Sequence, residues 1–373
     1  MPRGQEYCMC IRKLLIARYL KGEGSVASLA RDLGIHRSTA HIWIRQYITG
    51  GYDGLKPTPR HPHHSPRRTE DWLVASIIRL QQMYPRWGAR KLMHLLETEG
   101  VEPPSERTVN RILKRNGLVK KLERRTESLS RFERCSPNEL WQMDHKRSLH
   151  LGYGERVVPF VVVDDATRFL IGVDLNPDKG LESTWSSLWS FFGAYGLPEA
   201  ILSDNAHLFA GHDGPSQMEV RLIRLGIKVL HGRVGHPQTQ GKVERLNGTL
   251  EYELFSLRHW RCVNELKPAL VDWINTYNFL RPHEALDMAV PGSNYLPSRR
   301  PRPDEVPSMA YPENTTTRVV GSDGRITYRG ARYEVGRGLV GEKVSVRESD
   351  MLLEISYGHL LITKCGIRPK RFH

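Results

Sequence analysis

Apolar positions along this 373-residue chain follow helical spacing first, then strand-like runs, and short alternation towards the end. Leu14, Leu15, Ile16 and Ala17 open one helix. The run SVASLARDLGIHRSTAHIWIRQY then reads as a helix, a turn at Gly34 and a second helix over about 37–47. Ala27, Leu29, Ala30, Leu33, Ile35, Ala40, Ile42 and Ile44 are expected to build its small core. A second helical set covers EDWLVASIIRLQQMY at 70–84, WGARKLMHLLETEG and SERTVNRILKRNGL, with Ser105 as N-cap and Gly117 as stop. In the centre the pattern changes. ERVVPFVVVDDATRFLIGVDL holds two β-branched runs around a turn at 164–168 and predicts a hairpin. Trp185, Leu188, Trp189 and Phe192 then mark a helix over 182–195, stopped by Gly196-Leu197-Pro198. A short strand at 200–202 ends at Ser203-Asp204, and a helix near 218–225 and a strand near 228–230 lead to a loop at 231–238. A helix over about 240–257 follows. From residue 315 onward, short alternating runs separated by glycine-containing turns predict a small antiparallel barrel or sandwich.

The fold class expected is multidomain: N-terminal all-α helix-turn-helix units, a central α/β core with a mixed sheet, and a C-terminal small all-β barrel. The boundaries fall at 1–53 (first helix-turn-helix), 54–69 (Pro/Arg/His-rich linker), 70–118 (second helix-turn-helix) and 119–137 (basic linker). They continue with 138–295 (core), 296–314 (Pro/Arg-rich linker) and 315–373 (barrel). The 55 Lys and Arg against 41 Asp and Glu give a formal charge of +14, which suits a polyanionic partner without singling out nucleic acid. Five scattered cysteines lack zinc or disulfide-framework spacing, and the His cluster at 61–64 reads as incidental. No apolar run reaches membrane-spanning length and no secretion signal is recognisable, so a cytoplasmic protein is expected.

The chemistry concentrates in three acidic residues. Asp144 lies in a strand-like run, Asp204 at the end of another, and Glu244 in the helix after a loop containing glycine and proline. Carboxylates gathered from three elements suit hard, oxygen-seeking cations such as Mg²⁺. Two ions about 3.5–4 Å apart can serve phosphodiester displacement. The surroundings are MDHK at 143–146, LSDNA at 202–206, HPQTQGKVERLNGTL at 236–250 and YNFLRPHEAL at 277–286. With these pieces, residues from about 138 to 290 resemble the integrase-type catalytic core of bacterial insertion-sequence DDE transposases, related to retroviral integrases and built on the ribonuclease H fold. The resemblance covers about two fifths of the chain. It implies that Asp144, Asp204 and Glu244 are the catalytic, metal-holding triad, with two Mg²⁺ ions as cofactor and Mn²⁺ able to substitute. It also implies an SH3-like character for the C-terminal barrel. Two features depart from the family pattern. The Asp204–Glu244 interval of 40 positions is slightly long, with the surplus assigned to the loop at 211–217. Glu251 stands where relatives often carry Lys or Arg, so a DNA contact is sought at Lys242, Arg245 or Arg258.

Residues at the start of the second helix of such units reach base edges when that helix enters the major groove. They are Arg37, Ser38, Thr39 and His41 in the first unit and Arg107, Thr108, Asn110 and Arg111 in the second. Asp164 and Asp165 read as turn formers beside Arg168, and Arg281, Pro282 and His283 as structural. His145, His207 and His236 read as polar loop residues, and Asn205 and Gln238 as weak candidates for contact with a DNA end. The functional expectation is a DNA transposase that binds terminal repeats, exposes a 3′-hydroxyl and joins it to target DNA. Its partners are double-stranded DNA and further copies of itself, with room left for a partner ATPase and no membrane role. The alternatives are a catalytically retired transposase acting as a DNA-binding regulator, and a simple nuclease. The chain has no Gly-x-x-x-x-Gly-Lys-Ser/Thr loop, so it is not expected to hydrolyse nucleotide itself.

Overall fold

The computed structural model describes residues 8–56, 68–118, 134–203, 213–231, 241–349 and 352–367. The chain divides into two compact units, 1–69 and 70–373. In the first, α1 (Met9–Leu20), α2 (Val26–Asp32) and α3 (Arg37–Gly50) surround Leu15, Ile16, Leu29, Ala30, Ile35, Ala40, Trp43, Ile44 and Leu55. Gly34 makes the turn between α2 and α3 at φ 63°. One expected core residue is misplaced: Ile42 is 54% exposed, and Trp43 is buried in its stead. Residues 40, 43 and 44 share one face of a 3.6-residue helix, and 42 falls off that face.

The second unit opens with α4 (Asp71–Met83), α5 (Ala89–Thr98) and α6 (Glu106–Arg115), packed around Ile77, Leu80, Trp87, Leu92, Leu96, Val109 and Leu113. Gly117 at φ 69° ends α6, and Leu118 N–H bonds back to Leu113 O at 2.9 Å, which caps carbonyls the helix leaves unpaired.

The central sheet contains β1 (Trp141–His145), the short β2 (Leu149–His150), β3 (Arg156–Asp164), β4 (Leu170–Asn176), β5 (Ala200–Ser203) and β6 (Lys228–His231). Its order is β4–β3–β1–β5–β6, with β2 paired to the start of β3. Pairing is antiparallel for β4–β3–β1 and parallel for β1–β5–β6, so the sheet is mixed, as expected. Alternation along β3 divides the core. Phe160 and Val162 pack with α7 (Leu181–Tyr195) and α8 (Gln217–Arg224), while Val161 and Val163 pack with α9 (Gly241–Leu250) and α10 (Val263–Phe279). Gly172 is required by close approach, since a Cβ there would stand 2.2 Å from the Phe191 ring. A bulge shifts the β3–β4 register between Val162 and Val163. Asn278 serves Leu170 beside it, accepting from its N–H at 2.8 Å and donating to its carbonyl at 2.9 Å.

The segment read as a linker at 296–314 lies along the core. Arg300 donates to the carbonyls of Pro198, Leu225 and Gly226, and Arg302 to that of Trp189. Beyond it, β7 (Thr317–Val319), β10 (Lys343–Ser349), β11 (Leu352–Tyr357) and β12 (Leu360–Gly366) form a four-stranded antiparallel sheet. β8 (Arg325–Tyr328) and β9 (Ala331–Glu334) form a separate hairpin. Among the described residues these two sheets do not pair into a closed ring. They share a core with Val220 and Ile223 of α8. The docking passes through the loop expected to hold the extra residues. A Cβ on Gly338 would stand 2.0 Å from Pro215 O, and Gly214 and Gly336 meet backbone to backbone.

Candidate functional site

Strand alternation sends Gln142, Asp144 and Lys146 to the α9 side of the sheet, and each meets that helix or its extension. Gln142 Oε1 accepts from Val243 N–H at 3.3 Å, Asp144 Oδ2 accepts from Asn247 Nδ2 at 2.7 Å, and Lys146 Nζ pairs with Glu251 Oε2 at 2.7 Å. The match is geometric. Two residues of strand advance roughly 6.6 Å and four residues of helix about 6 Å, so residues 142, 144 and 146 climb in step with 243, 247 and 251. Glu244 is exposed, one turn before Asn247. At about 100° per residue, Glu244, Asn247 and Glu251 lie within about 60° of one another around the helix. Glu244 therefore belongs to the stripe that meets the end of β1. The parallel neighbour β5 ends at Ser203, with Gln142 opposite Leu202, so both strands finish at one edge of the sheet. Asp204 lies outside the described residues. Among the described residues no group of three His, Cys, Asp or Glu side chains is assembled.

Further bonds fix α9. Asp165 is wholly buried and takes Lys242 Nζ at 2.6 Å, Gln142 Nε2 at 2.6 Å and Arg134 N–H at 2.8 Å. Lys242 also donates to the Asp165 carbonyl at 3.0 Å and is only 14% exposed. Lys242 was expected on the DNA, but its ammonium is engaged inside the protein because burial demands a partner for the charge. Asp164 is buried as well, bonded to Asn138 N–H and to the Thr167 N–H and hydroxyl, and burial pushes its carboxyl up. The turn reading of this pair thus holds, and Arg168 donates to the Asp165 carbonyl. Glu251 is pushed up by burial but ends below its ordinary value, because Lys146 and the Ser256 hydroxyl hold its charged form. His145 is a strand residue rather than a loop residue. It bonds Thr184 Oγ1 at 3.0 Å, and burial, with Lys179 nearby, lowers its pKa to about 4.

Comparison with known proteins matches parts of the chain to described domain families. Residues 135–237 and 225–291 each match an integrase core domain family, and residues 315–352 match the C-terminal domain of the IS481 family transposases. The chain carries an integrase-type transposase core. Residues 11–63 match a helix-turn-helix domain and 39–113 a homeodomain-like domain. An uncharacterized 31.7 kDa protein of insertion element IS407 from Burkholderia multivorans is 25% identical over 246 residues, covering 64% of this chain and 86% of that protein. The transposase for transposon Tn552 of Staphylococcus aureus is 24% identical over 377 residues, covering 89% and 77%. Among solved structures, the HTLV-2 integrase catalytic core in complex with magnesium (trimeric form) is similar at a TM-score of 0.34. It has 19% identity and covers 43% of this chain and 97% of that one. The simian T-cell lymphotropic virus intasome in complex with PP2A regulatory subunit B56 gamma gives 0.38, at 16% identity over 79% and 100%.

Around this integrase core the other candidates separate. Arg245 is exposed on α9. In the helix-turn-helix units Arg37, Ser38, His41, Arg107, Asn110 and Arg111 are exposed, and Thr39 and Thr108 half-buried, at the first turns of α3 and α6. Arg281 makes a nearly buried ion pair with Glu253 at 2.9 Å. His283 packs edge-on against Tyr277, and burial, with Arg281 and Lys91 nearby, lowers its pKa to about 3. His207, His236, Asn205 and Gln238 lie outside the described residues, as do the His cluster at 61–64 and the basic stretch at 119–133. Sequence reasoning missed Asn247, although its position three residues after Glu244 on one helix face was a usable signal.

Proposed function

We propose that this protein is a DNA transposase that binds element ends through its helix-turn-helix units and cuts them with Asp144, Asp204 and Glu244. The observation that carries the reading is the bond from Asn247 to Asp144, which holds the Glu244 helix against the strand bearing the first carboxylate. The donor set is all carboxylate, the oxygen chemistry that Mg²⁺ prefers, so the three residues fit that ion. Bound there, Mg²⁺ would supply activation of an attacking oxygen and neutralisation of charge at the scissile phosphate. The protein's part is placement. Asn247 orients Asp144, Lys146 and Glu251 tie the end of β1 to the helix, and the Asp165–Lys242 pair fixes the first turn of α9. Cutting exposes a 3′-hydroxyl that then attacks target DNA, so no protein nucleophile is needed. Two ends must be joined in one event, which calls for a homo-oligomer on double-stranded DNA.

The test incubates the protein with Mg²⁺ and labelled DNA from both flanks of its own gene, beside Asp144→Asn and Asp204→Asn. Nicking and joining by the wild type, reduced at least about 1,000-fold in both variants with DNA binding kept, is the expected result. Binding by all three proteins with cleavage by none favours the retired, regulatory alternative.

A further inference from the structure

The second helix-turn-helix module is seated on the core by side chains of its own. The Arg86 guanidinium, at the corner between α4 and α5, lies 4.2 Å above the ring of Tyr252, which follows α9 in the π-helical turn Glu251–Phe255. Its Nε is buried without a hydrogen-bond partner, so the ring face is what the group gains in exchange for water. One turn on, Arg90 binds Glu106 at the start of α6 at 3.0 Å and also feels the charge of Glu284. Lys91 sits in the same seam. Burial, with Arg281 beside it, lowers its pKa to about 8. Arg281 in turn holds Glu253, the neighbour of Tyr252. Two contacts therefore anchor the start of α5: Arg90 to the first turn of α6, and Arg86 to the helical turn that directly follows the helix carrying Glu244.

We infer that this seat is a ruler: Arg86 and Tyr252 are positioning residues that fix the distance between the base pairs read by α6 and the phosphodiester that is cut. The inference rests on the proposed transposase activity. A seated module permits one cutting position for each bound site, whereas a module without this seat would permit several.

The experiment compares wild type with Arg86→Ala, Tyr252→Ala and the conservative Tyr252→Phe, which keeps the ring face. Each is footprinted on element-end DNA, its cut positions are mapped at single-nucleotide resolution in Mg²⁺, and hydrogen exchange is followed over 84–98 and 251–255. The expected result is binding within about twofold for all, one cut position for wild type and Tyr252→Phe, and cuts spread over neighbouring positions for the two Ala variants. Exchange in both segments should accelerate in those same two. A single unchanged cut position in both Ala variants overturns the ruler. If the wild type itself cuts no DNA, the transposase reading fails, and exchange alone then judges the seat: acceleration in the Ala variants upholds it, and unchanged protection removes it.

Discussion

The two helix-turn-helix units are alike in their helices and different in their attachments. Each has three helices, a glycine at positive φ where a helix must stop, and exposed Arg, Ser or Asn at the first turn of its last helix. The first belongs to a compact unit of its own, 1–69, built round an apolar core that includes Leu55. The second belongs to the compact unit of the core and meets it through Arg86, whose guanidinium lies over the Tyr252 ring. The same local pattern therefore occurs in two settings, and what sets the second apart lies outside its last helix.

Acid should separate the units most. Burial lowers the pKa of His145 to about 4 and that of His283 to about 3, both in the second unit, from an ordinary value near 6.5. The unfolded chain then binds more protons than the folded one below pH 6.5. Stability is present above that value and is lost as pH falls towards 4 and then 3. Each histidine withdraws about 1.4 kcal/mol per pH unit within its window. In the first unit, His36 and His41 are exposed. Calorimetry at pH 7.5 and pH 4.5 should show the transition of the second unit falling much further than that of the first. A common shift of both transitions would erase this part of the contrast.

How much of this was legible in the sequence depended on the range of the interaction. Helices, strands and stops came from neighbours within four residues, which is why Gly34, Gly117 and the 164–168 turn were readable. The Ile42 error has the same origin, because an apolar residue one step off the helix face looks like core until the face is known. The site was legible as three carboxylates but not as an assembly. Gln142 with Val243, Asp144 with Asn247 and Lys146 with Glu251 each span more than 100 residues, and only the strand–helix register brings them level. Lys242 was misassigned for the same reason: a lysine in a basic segment carries no local mark that a buried Asp165 awaits it.

Binding should distinguish the units next. Arg37→Ala and Arg107→Ala each remove an exposed guanidinium from the first turn of α3 and α6, at a cost of about 1–3 kcal/mol if it reads a base. If the second module is seated on the core, Arg107→Ala should lose footprint protection next to the cut. Arg37→Ala should leave that protection in place. Loss of the same segment in both would mean the units read one site together.

The smallest contrast lies in the caps. Ser25 accepts from Ser28 N–H at 3.3 Å and so pairs one of the amides that the start of α2 leaves open. Ser105 is likewise an N-cap, of α6, the last helix of its unit, yet its hydroxyl makes no bond to the helix backbone and lies 3.1 Å from Thr108 Oγ1. Ser25→Ala should therefore cost about 1 kcal/mol. Ser105→Ala should cost less, because it exposes no amide that was paired. Denaturant melts of the two variants measure the difference directly. Equal losses would mean that Ser105 swings onto the backbone in solution, and the two helix starts would then be chemically the same.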